Sequence, residues 1–117
     1  MLQAFDSLVL FVDDVKLVGD WYSKVLGFSL EFENKEYAYL NLGFGKIGFH
    51  PKDEKIGKGS SSQTVYWAVS NLNSAIETFT ANGAKQIRGT YQVSDSEYVT
   101  MLSDPFGNTI GLQGQKL

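Results

Sequence analysis

Ser7-Leu-Val-Leu-Phe-Val-Asp-Asp14 is the stretch that decides the fold, because Thr64-Val-Tyr-Trp-Ala-Val-Ser-Asn71 repeats its pattern. In each, a run of apolar, β-prone residues ends in Asp or Asn and leads straight into an amphipathic helix. Asp14 and Asn71 are the expected N-caps, each offering a side-chain oxygen to the first free N–H groups of its helix. Val15, Val18, Tyr22, Val25 and Leu26 recur at helical spacing after the first cap, and Leu72, Ala75, Ile76 and Phe79 after the second. Gly27 ends the first helix and Asn82-Gly83 the second, glycine being the residue that enters the left-handed region most readily. A strand-helix unit repeated at this spacing predicts two similar halves that face one another and enclose a cleft.

Ser29–Phe32, Tyr37–Leu42 and Lys46–His50 are strand candidates in the first half, separated by Asn34-Lys35 and the Gly43–Gly45 turn. Thr64–Val69, Gln86–Arg88, Tyr91–Val93, Tyr98–Leu102 and Thr109–Gln113 are the candidates in the second. The parse is βαβββ followed by βαβββ, with modules over 1–51 and 63–117 and a linker over 52–62. That linker holds glycines, serines and charges and has little to bury. Asp104-Pro-Phe-Gly-Asn108 has the composition of a tight hairpin connection, in which Asp and Asn bond the nearby backbone.

At 117 residues the chain is one domain by size. It has no cysteine, which excludes disulfides, thiolate metal sites and a cysteine nucleophile. A net charge of −3 with scattered basic residues argues against a nucleic-acid partner. No apolar run approaches the roughly 18 residues needed to cross a bilayer, so no membrane partner is expected and the location is read as cytoplasmic.

Three features together resemble the vicinal oxygen chelate superfamily, which groups glyoxalase I, extradiol dioxygenases, and fosfomycin- and bleomycin-resistance proteins. They are Val12-Asp-Asp-Val15 with Trp21-Tyr22 and Leu26-Gly27-Phe28, the half-repeat Val69-Ser-Asn-Leu72, and Asp104-Pro-Phe-Gly-Asn108 followed by Ile110-Gly-Leu112. The resemblance spans essentially the whole chain. It implies an α+β fold in which two βαβββ modules form a curved mixed-sheet cup with helices on the outer face, usually in homodimers. In the family's metalloenzymes His or Glu from four strands hold a divalent ion that acts as a Lewis acid.

Carried onto this sequence, those ligand positions fall on Ser7, on Thr64 with Gln63 beside it, on Gly111 and near Tyr39. Neutral hydroxyls are poor ligands for zinc, nickel, manganese or iron, and glycine offers no ligand atom. Shifting the alignment by one residue to recruit Asp6 or Gln63 would turn every neighbour to the wrong face. The register kept here sends Leu8, Leu10 and Val12, and likewise Val65, Trp67 and Val69, toward the helices. No metal or other cofactor is therefore expected.

Strand alternation assigns the candidate ligand-binding set. It comprises Ser7, Val9 and Phe11 from the first strand; Tyr37, Tyr39 and Asn41; Thr64 and Tyr66; Met101; and Thr109, Gly111 and Gln113 from the last strand. Such a lining, aromatic with hydroxyls and amides, suits a planar or amphipathic organic ligand. His50 is the single histidine. It reads as a surface or hydrogen-bonded residue, since a base would need a carboxylate or carbonyl to fix its tautomer, and the sequence identifies none. Glu31, Glu33 and Glu36 read as a solvated rim. The expected function is metal-free binding of a small organic molecule, with antibiotic sequestration as its sharpest version. The alternative is a metal-dependent lyase, isomerase or dioxygenase with an atypical ligand set.

Overall fold

The computed structural model describes residues 1, 3–52 and 64–116. The linker expected over 52–62 lies, apart from Lys52, outside the described residues, as does Gln63. The chain divides into two compact units, Met1–Ser60 and Ser61–Leu117, and each has the βαβββ order.

In the first unit, strand β1 (Ser7–Val12) leads to helix α1 (Val15–Leu26), then to β2 (Leu30–Phe32), β3 (Ala38–Asn41) and β4 (Lys46–Pro51). The sheet order is β1-β4-β3-β2, with β1 and β4 parallel and the other pairs antiparallel. The Asp14 side chain accepts a hydrogen bond from the Leu17 N–H, and Gly27 takes φ 80° at the other end of the helix, as the sequence predicts. Val18 and Tyr22 of α1 are buried with Ala38, Leu40, Ile47 and Phe49. The Tyr22 and Phe49 rings lie 5.5 Å apart, so this face of the sheet is the core. Gly19 lets Leu30 approach the helix, because a Cβ there would meet two Leu30 methyl carbons at 2.9 Å. The Ser23 hydroxyl donates to the Phe28 carbonyl just beyond the helix.

The second unit contains β5 (Tyr66–Val69), helix α2 (Leu72–Ala81), β6 (Lys85–Gln92), β7 (Tyr98–Ser103) and β8 (Thr109–Gly114). Its order, β5-β8-β7-β6, repeats that of the first sheet, again with a parallel first pair. The Asn71 side chain accepts from the Ser74 N–H, and Gly83, at φ 99°, follows the end of the helix. Leu72, Phe79, Leu102, Ile110 and Leu112 are buried. Trp67 stands opposite Leu112 on this side of the sheet but is half-buried rather than enclosed.

The second half departs from the sequence reading in one substantial way. Gln86–Arg88 and Tyr91–Val93 are not two strands, because β6 runs continuously through Gly89 and Thr90. Register shifts on both sides of Arg88 absorb the extra residues against β7. Gly89 lies within the second of these irregularities, where a glycine in a strand commonly marks a bulge. The remaining differences are at strand ends. Ser29, Tyr37, Leu42, Thr64 and Val65 fall outside the ladders, and Leu42 donates to the Gly45 carbonyl as part of the turn. Among the described residues no helix is long and apolar enough to cross a membrane.

Candidate functional site

Residues opposite one another in a ladder share a face, so the pairing register defines the side of each sheet that turns away from its helix. In the first unit one row runs Ser7, Lys46, Asn41, and a second runs Val9, Gly48, Tyr39, Glu31. Phe11 stands opposite His50. Tyr37 precedes β3 and is held by the β2–β3 turn. There the Asn34 side-chain oxygen accepts the Glu36 and Tyr37 N–H groups at 2.8 and 2.9 Å, and the Tyr37 carbonyl accepts from Glu33.

Four rings gather on this face. Phe11 and His50 have centroids 5.4 Å apart, Tyr37 and His50 6.4 Å, and Tyr37 and Tyr39 6.2 Å in a stacked arrangement. The Lys46 ammonium stands 5.0 Å from the Tyr39 ring centroid, a cation–π contact. Gly48 forms the floor, since a Cβ there would collide with the phenol end of Tyr37, at 2.6 Å from Cζ and 2.7 Å from Cε1. Partial burial is the main reason that the Tyr37 phenol is raised above its ordinary value of 10.0; Glu33, Asp6 and Tyr39 add smaller contributions of the same sign. The Asn41 amide oxygen is committed to the turn, accepting the Gly43 N–H at 2.9 Å.

The second unit builds a comparable face. Tyr66, Gly111 and Met101 lie in one row, and Ala68, Gln113 and Val99 in the next. The Tyr66 ring lies on Gly111, where a Cβ would come within 2.5 to 2.8 Å of three ring carbons. Tyr66 itself is 46% exposed. Thr64 and Thr109 exchange a hydroxyl hydrogen bond of 3.0 Å. The β7–β8 hairpin that sets this register is closed by Asp104. One of its carboxylate oxygens accepts the Phe106 and Asn108 N–H groups and the other accepts the Asn108 side-chain amide, all at 2.8 Å.

Of the twelve residues expected to line a site, the first-unit face groups Ser7, Val9, Phe11, Tyr37, Tyr39 and Asn41, and the second-unit face groups Thr64, Tyr66, Met101, Thr109, Gly111 and Gln113. The sequence reading left out Lys46, Gly48 and His50, although they alternate with Ile47 and Phe49 along β4 and so share the face turned away from α1. That alternation is the signal that would have found them.

The residues at the family's metal-ligand positions do not fit a metal. Ser7 offers a neutral hydroxyl, the Thr64 hydroxyl is already bonded to Thr109, and Gly111 has no side chain and lies beneath a tyrosine ring. The structural counterpart of Gly111 in the first unit is Gly48, because each faces a first-strand residue across the parallel pair. It too is roofed by a tyrosine, while Tyr39 stands beside it on β3. No group of three or more His, Cys, Asp or Glu side chains is arranged to hold an ion among the described residues.

The sequence matches the Glyoxalase/Bleomycin resistance protein/Dioxygenase superfamily over residues 4–112. A glyoxalase/bleomycin resistance protein/dioxygenase family enzyme from Burkholderia phytofirmans PsJN has a similar structure. Its TM-score is 0.82 at 17% identity, over 97% of this chain and 99% of that one. An integron cassette protein from the mobile metagenome of V. Cholerae gives a TM-score of 0.71 at 22% identity, over 97% and 96% of the two chains. A virulence protein from Salmonella typhimurium gives 0.72 at 21% identity, over 98% of each. At these identities the likeness concerns the fold. Comparison with curated proteins yields no match.

Proposed function

The chain belongs to the Glyoxalase/Bleomycin resistance protein/Dioxygenase superfamily, and from that premise we propose that it binds a small planar or amphipathic organic molecule without a metal at the family's ligand positions. The observation that carries this reading is the group of rings Phe11, Tyr37, Tyr39 and His50 on the face of the first sheet turned away from α1. Aromatic faces stack on planar ligands and also attract cations. The net charge of −3 favours a cationic ligand over an anionic one. The mechanism is sequestration: rings cover the ligand, and hydroxyls and amides orient it. Antibiotic binding is the sharpest form of the proposal, with a homodimer as the working assembly and the cytoplasm as its location. A metal-dependent lyase, isomerase or dioxygenase would need donors that Ser7, Thr64 and the two roofed glycines do not supply.

Fluorescence titration with proflavine, a planar aromatic cation, in the presence of EDTA tests the proposal. Saturable binding is expected, weakened in Tyr37→Ala and in Phe11→Ala while both variants stay folded. Binding that appears only after a divalent metal is added, or that neither variant weakens, would refute it. Sedimentation equilibrium checks the dimer, and a monomer at all concentrations would remove that part.

A further inference from the structure

The imidazole of His50 is oriented by a contact that the sequence cannot display. Its Nδ1 lies 2.8 Å from the Pro51 carbonyl oxygen. A carbonyl can only accept, so Nδ1 carries the proton, and in the neutral ring the accepting lone pair sits on Nε2. This is the reverse of the tautomer that imidazole prefers in water. Nε2 lies across the ring from Nδ1 and therefore points away from the backbone oxygen that holds the ring. On this face the imidazole is flanked by Phe11 at 5.4 Å and Tyr37 at 6.4 Å. Gly48, two residues earlier on β4, carries no side chain that would hold Tyr37 away from the strand.

We infer that His50 is the polar recognition group of this face: its Nε2 accepts a hydrogen bond from an O–H or N–H carried by a planar aromatic ligand lying against Phe11 and Tyr37. The inference rests on the binding function proposed above and narrows its ligand class to aromatics bearing a hydrogen-bond donor, such as phenols and aromatic amines. The Pro51 carbonyl acts through His50 as a positioning group. A flat apolar ring without a donor gains the stacking but leaves Nε2 unpaired beneath it, which disfavours that ligand.

Two probes test this, one with an O–H donor and one in which a methyl ether replaces it. 2-Naphthol and 2-methoxynaphthalene are titrated into the wild type, His50→Phe and His50→Gln, with circular dichroism confirming that each variant is folded. The wild type is expected to bind 2-naphthol about threefold to tenfold more tightly, the factor that one net neutral hydrogen bond supplies. The preference should vanish in His50→Phe, which keeps a flat ring, and be partly kept in His50→Gln, whose amide oxygen can accept. Because the chain has one histidine, a long-range proton–nitrogen NMR correlation reads the tautomer without ambiguity, and the Nδ1–H form is expected in the ligand-free protein. An Nε2–H tautomer, equal binding of the two probes, or a preference that survives in His50→Phe would overturn the role of His50 and leave the aromatic platform standing. Failure of the wild type to bind either probe would overturn the platform as well.

Discussion

Removing the Asp104 carboxylate has a cost that can be worked out bond by bond. The residue is 4% exposed and its two oxygens accept three hydrogen bonds of 2.8 Å, two from the backbone N–H groups of Phe106 and Asn108 and one from the Asn108 side chain. Alanine leaves both N–H groups without that acceptor inside the β7–β8 turn. An unpaired buried donor costs about 1–3 kcal/mol. Phe106 and Asn108 are only half-buried, so water reaches them and the lower end applies. With about 1 kcal/mol for each N–H and about as much for the charge-assisted bond to the amide, Asp104→Ala loses about 3 kcal/mol. Asp104→Asn keeps an oxygen for the two N–H groups and loses about 1 kcal/mol. For a chain of this size roughly 4 °C of midpoint accompanies each kcal/mol, so thermal unfolding followed by circular dichroism should fall by about 12 °C and about 4 °C respectively. An alanine variant within about 2 °C of wild type, or an asparagine variant as unstable as alanine, would refute the claim that these bonds hold the hairpin.

The same reasoning separates core from platform in the first unit. Phe49, with 0% exposure and a ring contact to Tyr22, should lose about 3–5 kcal/mol on Phe49→Ala in denaturant unfolding, with no surface group to blame. Gly48→Ala should displace the Tyr37 ring and weaken proflavine binding in the titration above; unchanged affinity would mean that Tyr37 does not contribute. The Tyr37 phenol, raised above 10.0 first by burial, keeps its proton longer in the folded chain than in the unfolded one. The stability linked to it is therefore complete below pH about 10 and is lost as pH rises through the folded value. Tyr37→Phe should remove that alkaline loss, and the difference in phenolate absorbance between wild type and variant should show a titration above the ordinary range.

The sequence made the repeat legible because caps, stripes and stops are local. Asp14, Asn71 and Gly27 act on residues within four positions of themselves, and their roles follow from side-chain chemistry alone. Along β1 the register sets Leu8 and Leu10 opposite the buried Ile47 and Phe49, and Ser7, Val9 and Phe11 opposite Lys46, Gly48 and His50, the same division that strand alternation gives from the sequence. What was hidden depends on partners distant in sequence or on the backbone. Gly89 signals a bulge and a turn with the same residue, and only the β7 register decides between them. The orientation of His50 comes from a main-chain carbonyl, which every residue has and no side-chain pattern marks. The tyrosines over Gly48 and Gly111 were hidden for a similar reason: a glycine in a strand says that something comes close without saying what. Asn41 shares the face with Lys46 and Ser7, and its amide oxygen also closes the neighbouring turn, a local use common for that side chain that strand alternation does not mark.

The binding function proposed above has hydroxyls, a glycine and rings at the positions where the superfamily's metalloenzymes are expected to carry His and Glu. Elemental analysis tests it most directly, on untagged protein equilibrated with manganese, nickel, cobalt and zinc and then desalted. No stoichiometric metal is expected, because Ser7, Thr64 and Tyr39 offer only neutral hydroxyls and Gly111 offers no ligand atom. Retention of about one metal per chain would contradict it and turn the search toward metal-dependent chemistry.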